Sequence, residues 1–297
     1  MKNSENILKN AIKLLSDKTG LSPVMSAEIE FYLNGTNEQQ NNCLALIMLG
    51  CKKQNIELET ISNETGDGQK EISLKTHENP LKLAQNIVNL KKITKDSAEN
   101  MGLYADMTPL PLENQPSNGL HIHISLIDKN GVNLFAKERG VEDETEYMQY
   151  AIGGLCEIMA ESMIYFAPTE DSYKRYRAKY HDITENSATY NYAPTNISWG
   201  ANNRTTAIRI PTSTLMPENR HIEHRVPSIN SDPYMAIAAI ISGIIYGTEN
   251  KITPPEKIYG NAFDKQYELQ PLPKSLKDAK KPHDKGKIIK PLFSQQT

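Results

Sequence analysis

Met25-Ser26-Ala27-Glu28-Ile29-Glu30-Phe31-Tyr32-Leu33 and Gly119-Leu120-His121-Ile122-His123-Ile124-Ser125-Leu126-Ile127 decide the fold. Residues of a strand alternate between its two faces. In the first stretch Ala27, Ile29, Phe31 and Leu33 share one face, and Glu28 and Glu30 share the other with Ser26 and Tyr32. In the second, Leu120, Ile122, Ile124 and Leu126 oppose His121, His123 and Ser125. Two carboxylates placed this way stand roughly 7 Å apart, since a strand rises about 3.3 Å per residue. The stretch His221-Ile222-Glu223-His224-Arg225-Val226 repeats the pattern and puts Glu223 beside Arg225. A polar face that meets water accounts for any one of these strands. Three in one chain favour a sheet with helices on one side and a polar cleft on the other.

Outward from these strands, apolar periodicity predicts helices over about 3–18, 38–54, 79–101, 143–166 and 232–246. The last opens on Asp232-Pro233, a cap followed by proline in the first turn. Further strands are expected near 56–61, 71–75, 197–200 and 205–211, and Asp128-Lys129-Asn130-Gly131 is a hairpin signal. Strand and helix do not alternate strictly. The expected class is therefore α+β, with a curved, largely antiparallel sheet and helices packed on one face. One domain is expected over residues 1–250 and an irregular C-terminal extension over 251–297, where Pro254, Pro255, Pro271, Pro273, Pro282 and Pro291 interrupt regular structure.

Composition excludes several functions. Among 297 residues, Lys plus Arg number 33 and Asp plus Glu 36, a net charge of −3 that leaves no basic footprint for nucleic acid. The longest apolar run, Met235 to Gly247, contains Ser242 and is too short to span a bilayer, so no membrane role is expected. The opening residues read as an amphipathic helix rather than a signal peptide. Cys43, Cys51 and Cys156 have no metal or redox spacing, which suggests reduced thiols and a cytoplasmic location.

The loop from Asn63 to Glu71 adds Glu64 and Glu71 around a glycine-rich bend, a pattern that a polar hairpin turn also explains. Arginines gather late, at Arg175, Arg204, Arg209, Arg220 and Arg225. Arginine grips carboxylate and phosphate with two parallel hydrogen bonds. Arg209 lies inside the largely apolar run Ala207–Pro211, where a purely solvated role is hard to sustain.

Taken together these segments resemble the glutamine synthetase family. Ala27-Glu28-Ile29-Glu30-Phe31 resembles its alternating-glutamate strand. The segment Glu64 through Gly68-Gln69-Lys70-Glu71 resembles its glutamate–loop–GQ–glutamate motif. Asn118-Gly119-Leu120-His121-Ile122-His123-Ile124-Ser125 resembles its ATP-site histidine signature. Ser172-Tyr173-Lys174-Arg175, Asn203-Arg204 through Arg209, and Ile222-Glu223-His224-Arg225 followed by Asp232-Pro233-Tyr234 complete six motifs in order. Ser198-Trp199-Gly200 and Ile222-Glu223-His224-Arg225-Val226 lean toward the gamma-glutamylpolyamine (gamma-glutamylputrescine) synthetase branch.

The resemblance implies an ATP-dependent ligase that phosphorylates the γ-carboxylate of glutamate and lets an amine or ammonia displace the phosphate. Mg²⁺ or Mn²⁺ ions are the implied cofactors. Glu30, Glu64 and Glu71 would hold a metal near glutamate, and Glu28, His121 and Glu223 one at the ATP phosphates. Arg175 and Arg225 would bind glutamate with Glu30. Arg204 and Arg209 would stabilise the transferring phosphoryl group, and His123, Ser125 and Arg220 would lie at the nucleotide. A homo-oligomer, or a second chain supplying a further domain, is the implied partner.

Departures from the family pattern accompany the matches. Few residues precede Glu28, so the family's N-terminal β-grasp domain is expected to be absent, as are helices beyond about residue 275. Tyr192 stands where a flap glutamate is expected, with Glu185 as the substitute. His221 stands in place of an arginine, and Ser117 in place of a glycine. These departures sustain a second reading: a nucleotide- and metal-binding remnant or regulatory module without ligase turnover.

Overall fold

A computed structural model of the chain describes residues 2–141, 143–177, 193–213, 215–289 and 293. Helix α1 (Lys2–Thr19) leads into the long strand β1 (Ser22–Leu33). Then follow α2 (Asn37–Lys53), the hairpin β2 (Leu58–Asn63) and β3 (Gln69–Leu74), α3 (Pro80–Asn100), the short β4 (Ala105–Asp106) and β5 (Leu120–Ile127). The second half holds α4 (Glu146–Phe166), α5 (Lys174–Arg177), β6 (Trp199–Ala201), β7 (Ile208–Ile210), β8 (Ile222–His224), α6 (Pro233–Asn250) and α7 (Leu276–Lys285).

The class is α+β. One open sheet runs β2-β3-β1-β5-β8-β7-β6, with β4 beside the end of β1. Its pairs are antiparallel except β6–β7, which is parallel, so the sheet is mixed. The alternation read in β1 and β5 holds. Ala27, Ile29, Phe31, Leu120, Ile122, Ile124 and Leu126 are fully buried in one core. Truncating one of the isoleucines to alanine costs about 2–5 kcal/mol through lost contact and a residual cavity.

Caps fix where the helices start. Thr36 and Gln39 form a reciprocal capping box on α2, and Asn79 precedes Pro80 at the head of α3. Asp232 accepts the Tyr234 and Met235 backbone N–H groups at 2.9 and 3.4 Å, and its other oxygen accepts the Ser4 hydroxyl of α1 at 2.8 Å. Helix α6 is apolar on nearly every side and is enclosed by α1, α3 and α4. A Cβ on Gly154 would overlap the Gly243 carbonyl, so α4 and α6 cross in backbone contact that a larger side chain would wedge apart.

The C-terminal stretch is irregular only as far as Ser275. There Ser275 caps α7, a ten-residue helix that contains Pro282 and packs on α4. The expectation that no helix follows residue 275 is thereby corrected. Pro282 lacks an N–H, but the Ser275 cap and the contact with α4 outweigh that loss. Upstream, the irregular segment is stitched to the sheet end. Ile258 N–H donates to Trp199 O at 3.0 Å, Leu272 N–H to Thr195 O at 2.9 Å, and Ile197 N–H to Gln270 O at 2.8 Å. No helix among the described residues is long and apolar enough to cross a membrane.

Candidate active site

Register alone lines up the polar face. Glu30 lies opposite Glu71 across β1 and β3, and Glu28 lies opposite His121 across β1 and β5. His123 lies opposite Glu223 across β5 and β8, and Glu223 opposite Arg209 across β8 and β7. Residues directly opposite share a face, so five strands deliver this set to one surface although it spans much of the sequence.

His121 sits at the centre and is buried. Its Nδ1 lies 3.3 Å from Glu28 Oε2 and 3.5 Å from Glu223 Oε1, and its Nε2 lies 3.9 Å from Glu30 Oε1. His123 Nε2 lies 3.1 Å from Glu28 Oε1. Glu30 Oε2 accepts the Gly119 backbone N–H at 2.5 Å. A Cβ on Gly119 would come within 2.7 Å of His121 Nε2 and 3.1 Å of Arg175 Nη2, so glycine lets the imidazole and the guanidinium close over the backbone.

Glu223 is held by two guanidinium groups. Arg209 Nη1 donates to its Oε2 at 2.7 Å, and Arg225 Nη1 pairs with its Oε1. Asn202 Oδ1 in turn accepts Arg209 Nη2 at 2.6 Å and Nε at 3.2 Å. Burial alone would raise the Glu223 carboxyl, but Arg225, the two histidines and Arg209 overcome it and hold the group down to about 2. Glu28 is likewise buried, and the charge of His123 and hydrogen bonds to both histidines hold it well below the usual carboxylate range. At the opposite end the balance reverses. Burial, then the charges of Glu28, Glu30, Glu64 and Glu223, pushes Glu71 up to about 9, and burial with Glu30 raises Glu64. Crowding among the five carboxylates is thus relieved by arginines at Glu223, and persists around Glu71.

Two clefts open on this surface. The first, of about 500 Å³, is lined by Glu28, Glu30, Glu64, Glu71 and His121 together with Arg175, Arg204, Arg209 and Arg225. The second, of about 530 Å³, is lined by Ser26, Lys75, His123, Ser125, Asn219 and His221, among others, and meets the first at Glu28. Two residue groups place their ligand atoms within 4.8 Å of one another: Glu28 with His121 and Glu223, and Glu30 with Glu71 and His121. Carboxylate oxygens with one imidazole suit Mg²⁺ or Mn²⁺. The uncompensated acids around Glu71 supply the charge such an ion would neutralise, so the residues fit a divalent cation.

Other expected residues fall as follows. Glu64 lines the first cleft but belongs to neither ligand group. Arg175 lines it too, while donating to Pro227 O at 2.7 Å and Arg225 O at 3.3 Å. Arg204 is exposed at its rim. Arg220, expected at the nucleotide, turns instead toward Glu144 (3.9 Å) and Val141 O (3.3 Å), and its neighbour His221 lines the second cleft. The His221 ring lies 5.0 Å from that of His123. Glu185 and Tyr192 lie outside the described residues. Asn202, with φ of 43°, carried no sequence expectation. The turn signal of Gly200-Ala201-Asn202-Asn203 marks its place but not its grip on Arg209.

Comparison with known proteins matches the family model described as glutamine synthetase, catalytic domain, to residues 34–297. The glutamine synthetase of Pyrococcus woesei is 34% identical over 310 residues, covering 96% of this chain and 66% of that protein. The gamma-glutamylputrescine synthetase PuuA of Escherichia coli strain K12 is 28% identical, covering 88% of this chain and 58% of its own length. The chain thus spans about two thirds or less of these relatives. A solved structure titled a GmaS/ADP complex superposes with a TM-score of 0.84 at 22% identity, covering 99% of this chain and 70% of that one, and shares the fold.

Proposed function

Because the chain belongs to the glutamine synthetase catalytic-domain family, we propose that its cleft joins an amine, or ammonia, to the γ-carboxylate of glutamate using ATP. The observation that carries this reading is the shared surface of Glu28, Glu30, Glu71, His121 and Glu223, with arginines across the same cleft. Divalent cations would be held by Glu28, His121 and Glu223 and by Glu30 and Glu71 with Glu64 nearby, and when bound they supply positive charge against phosphate oxygens.

The chain's own residues account for the remaining steps. The nucleotide occupies the second cleft, beside His123, Ser125 and His221, with its phosphates directed past Glu28 into the first. Glutamate sits in the first cleft, whose lining includes Arg175 and Arg225, and its γ-carboxylate oxygen attacks the terminal phosphorus of ATP while the bond from that phosphorus to the β-phosphate oxygen breaks and ADP leaves. Arg209, fixed by Asn202 and Glu223, is pre-aimed at the charge that develops there, so it reorganises little when the reaction occurs. An amine then attacks the γ-carbonyl carbon, the carbon–oxygen bond to phosphate breaks, phosphate leaves with that oxygen, and the surplus proton on the amine nitrogen passes to water. The low position of Glu28 and Glu223 keeps both anionic at neutral pH, as ligation requires.

The relatives named above use different acceptors by their names, so the acceptor class is tested with a panel. The purified chain is incubated with Mg-ATP, glutamate and ammonium, methylamine or putrescine, and γ-glutamyl products are read by mass spectrometry. One amide product, lost in Glu30→Gln, is the expected result. ATP turnover with no amide from any acceptor would contradict the reading.

A further inference from the structure

Gln69 is almost fully buried at the start of β3 and spends its amide on three bonds. Its Oε1 accepts the Gly66 backbone N–H at 3.2 Å, which closes the loop that carries Glu64. Its Nε2 donates to Ser117 O and to Asn118 Oδ1, both at 3.2 Å. The same loop is pinned at its base, where Glu64 N–H donates to Gln69 O at 3.0 Å and Gln69 N–H to Gly66 O at 2.9 Å.

Asn118 carries the connection onward. Its Nδ2 donates to Asp106 O at 3.1 Å and Thr108 O at 2.9 Å, and its backbone N–H to Pro109 O at 2.9 Å. The next residue, Gly119, donates to Glu30. Tyr32 of β1 holds the preceding carbonyl, Pro116 O, at 2.8 Å, and its hydroxyl sits where a Cβ on Gly66 would be. Pro116 and Ser117 line one wall of the first cleft, and Asn63, Glu64 and Thr65 line another. One side-chain amide therefore bolts the two walls together at a point buried from solvent.

We propose that Gln69 is a positioning residue that couples the two walls, so that a cation at Glu30 and Glu71, with Glu64 on the loop nearby, and a substrate carried by the Pro116–Gly119 wall bind cooperatively. This inference rests on the functional reading above. It requires no contact between Gln69 and either ligand. The amide fixes both backbones, so ordering one wall removes freedom from the other, and the ligand that binds second meets a wall already ordered.

Mn²⁺ is titrated calorimetrically into the full chain with and without saturating glutamate, for wild type, Gln69→Ala, the isosteric Gln69→Glu, Asn118→Ala and the double alanine variant. In wild type, glutamate tightens Mn²⁺ binding by a factor in the range of about 5–150. In each variant that factor falls toward one, by more than either separate affinity changes, and the double variant loses no more than each single. A purely structural role would weaken both ligands in parallel and leave the factor intact. Retention of the wild-type factor in folded Gln69→Ala or Gln69→Glu overturns the inference alone. A wild-type chain that binds neither Mn²⁺ nor glutamate overturns the functional reading and this inference with it.

Discussion

Glu30 and Glu71 lie directly opposite each other on neighbouring antiparallel strands, with His121 close enough for all three to share one ion. Like charges in that relationship destabilise a sheet, and burial deepens the penalty. The fold tolerates the pair because Glu71 takes up a proton, its carboxyl being pushed up to about 9. A cation would replace that proton.

Metal binding is therefore expected to release a proton near neutral pH, and affinity for Mn²⁺ should rise with pH up to about 9. Calorimetry in buffers of different ionisation enthalpy reads the proton directly. Glu71→Gln should abolish the buffer dependence. A wild-type heat of binding indifferent to the buffer would contradict the assignment.

The same group sets a slope in metal-free stability. A carboxyl raised in the folded state binds more protons there than when unfolded, so its contribution is present below its ordinary value near 4.5 and is lost as pH rises through about 9. Chemical denaturation in chelator should show stability declining across that window in wild type, and a flatter profile in Glu71→Gln. Identical profiles would remove Glu71 as the cause.

His224 works in the opposite direction. It lies fully buried on the core side of β8, its ring 4.8 Å from Phe166, and burial, then the charge of His121, pushes it down to about 3. The unfolded chain binds the proton first, so stability falls as pH drops from about 6.5 toward 3. His224→Phe should lower the acid midpoint of unfolding. An unchanged midpoint would mean that other groups govern acid unfolding.

Arg209→Met removes the guanidinium that spans Glu223 and Asn202. Losing a donor aimed at developing charge typically costs about 10²–10³ in turnover. Glu223 keeps Arg225, so folding should survive, and glutamate affinity should change less than turnover. Steady-state kinetics separate the two. A loss confined to substrate affinity would assign Arg209 to binding alone.

Asp232→Ala is a test of the scaffold. It strips the α6 cap and leaves the Ser4 hydroxyl without its partner. Loss of such a cap costs about 0.5–2 kcal/mol, read as a lower denaturation midpoint with an unchanged slope.

Much of this arrangement was legible in the sequence because alternation reports which face a side chain takes. Glu28, Glu30, His121 and Glu223 could be assigned to a polar surface from their apolar neighbours alone. Register was not legible, since alternation is silent on which residue lies opposite which; the Glu30–Glu71 and Glu223–Arg209 pairings come from strand order. Nor was the parallel β6–β7 pair, whose three-residue strands carry little pattern. Lys70 shows the limit on the core side. It shares a face with Ile72 and Leu74 and is buried, its Nζ donating to Asn63 Oδ1 at 2.5 Å, a contact only the folded hairpin supplies. Helix α7 was hidden by Pro282, although Ser275 marks its start locally; its packing on α4 acts from outside the local sequence. The ion pair of Arg220 with Glu144 was not legible either, because the fold joins residues far apart in the chain.

The proposed transfer of a phosphoryl group to the γ-carboxylate of glutamate, in the cleft between Glu30 and Arg209, can be followed with glutamate carrying ¹⁸O in its γ-carboxylate, incubated with the chain, Mg-ATP and an amine, with mass analysis of the phosphate released. One ¹⁸O is expected in each phosphate formed, because the carboxylate oxygen that attacks ATP leaves with the phosphate. Phosphate released from ATP without ¹⁸O would contradict it.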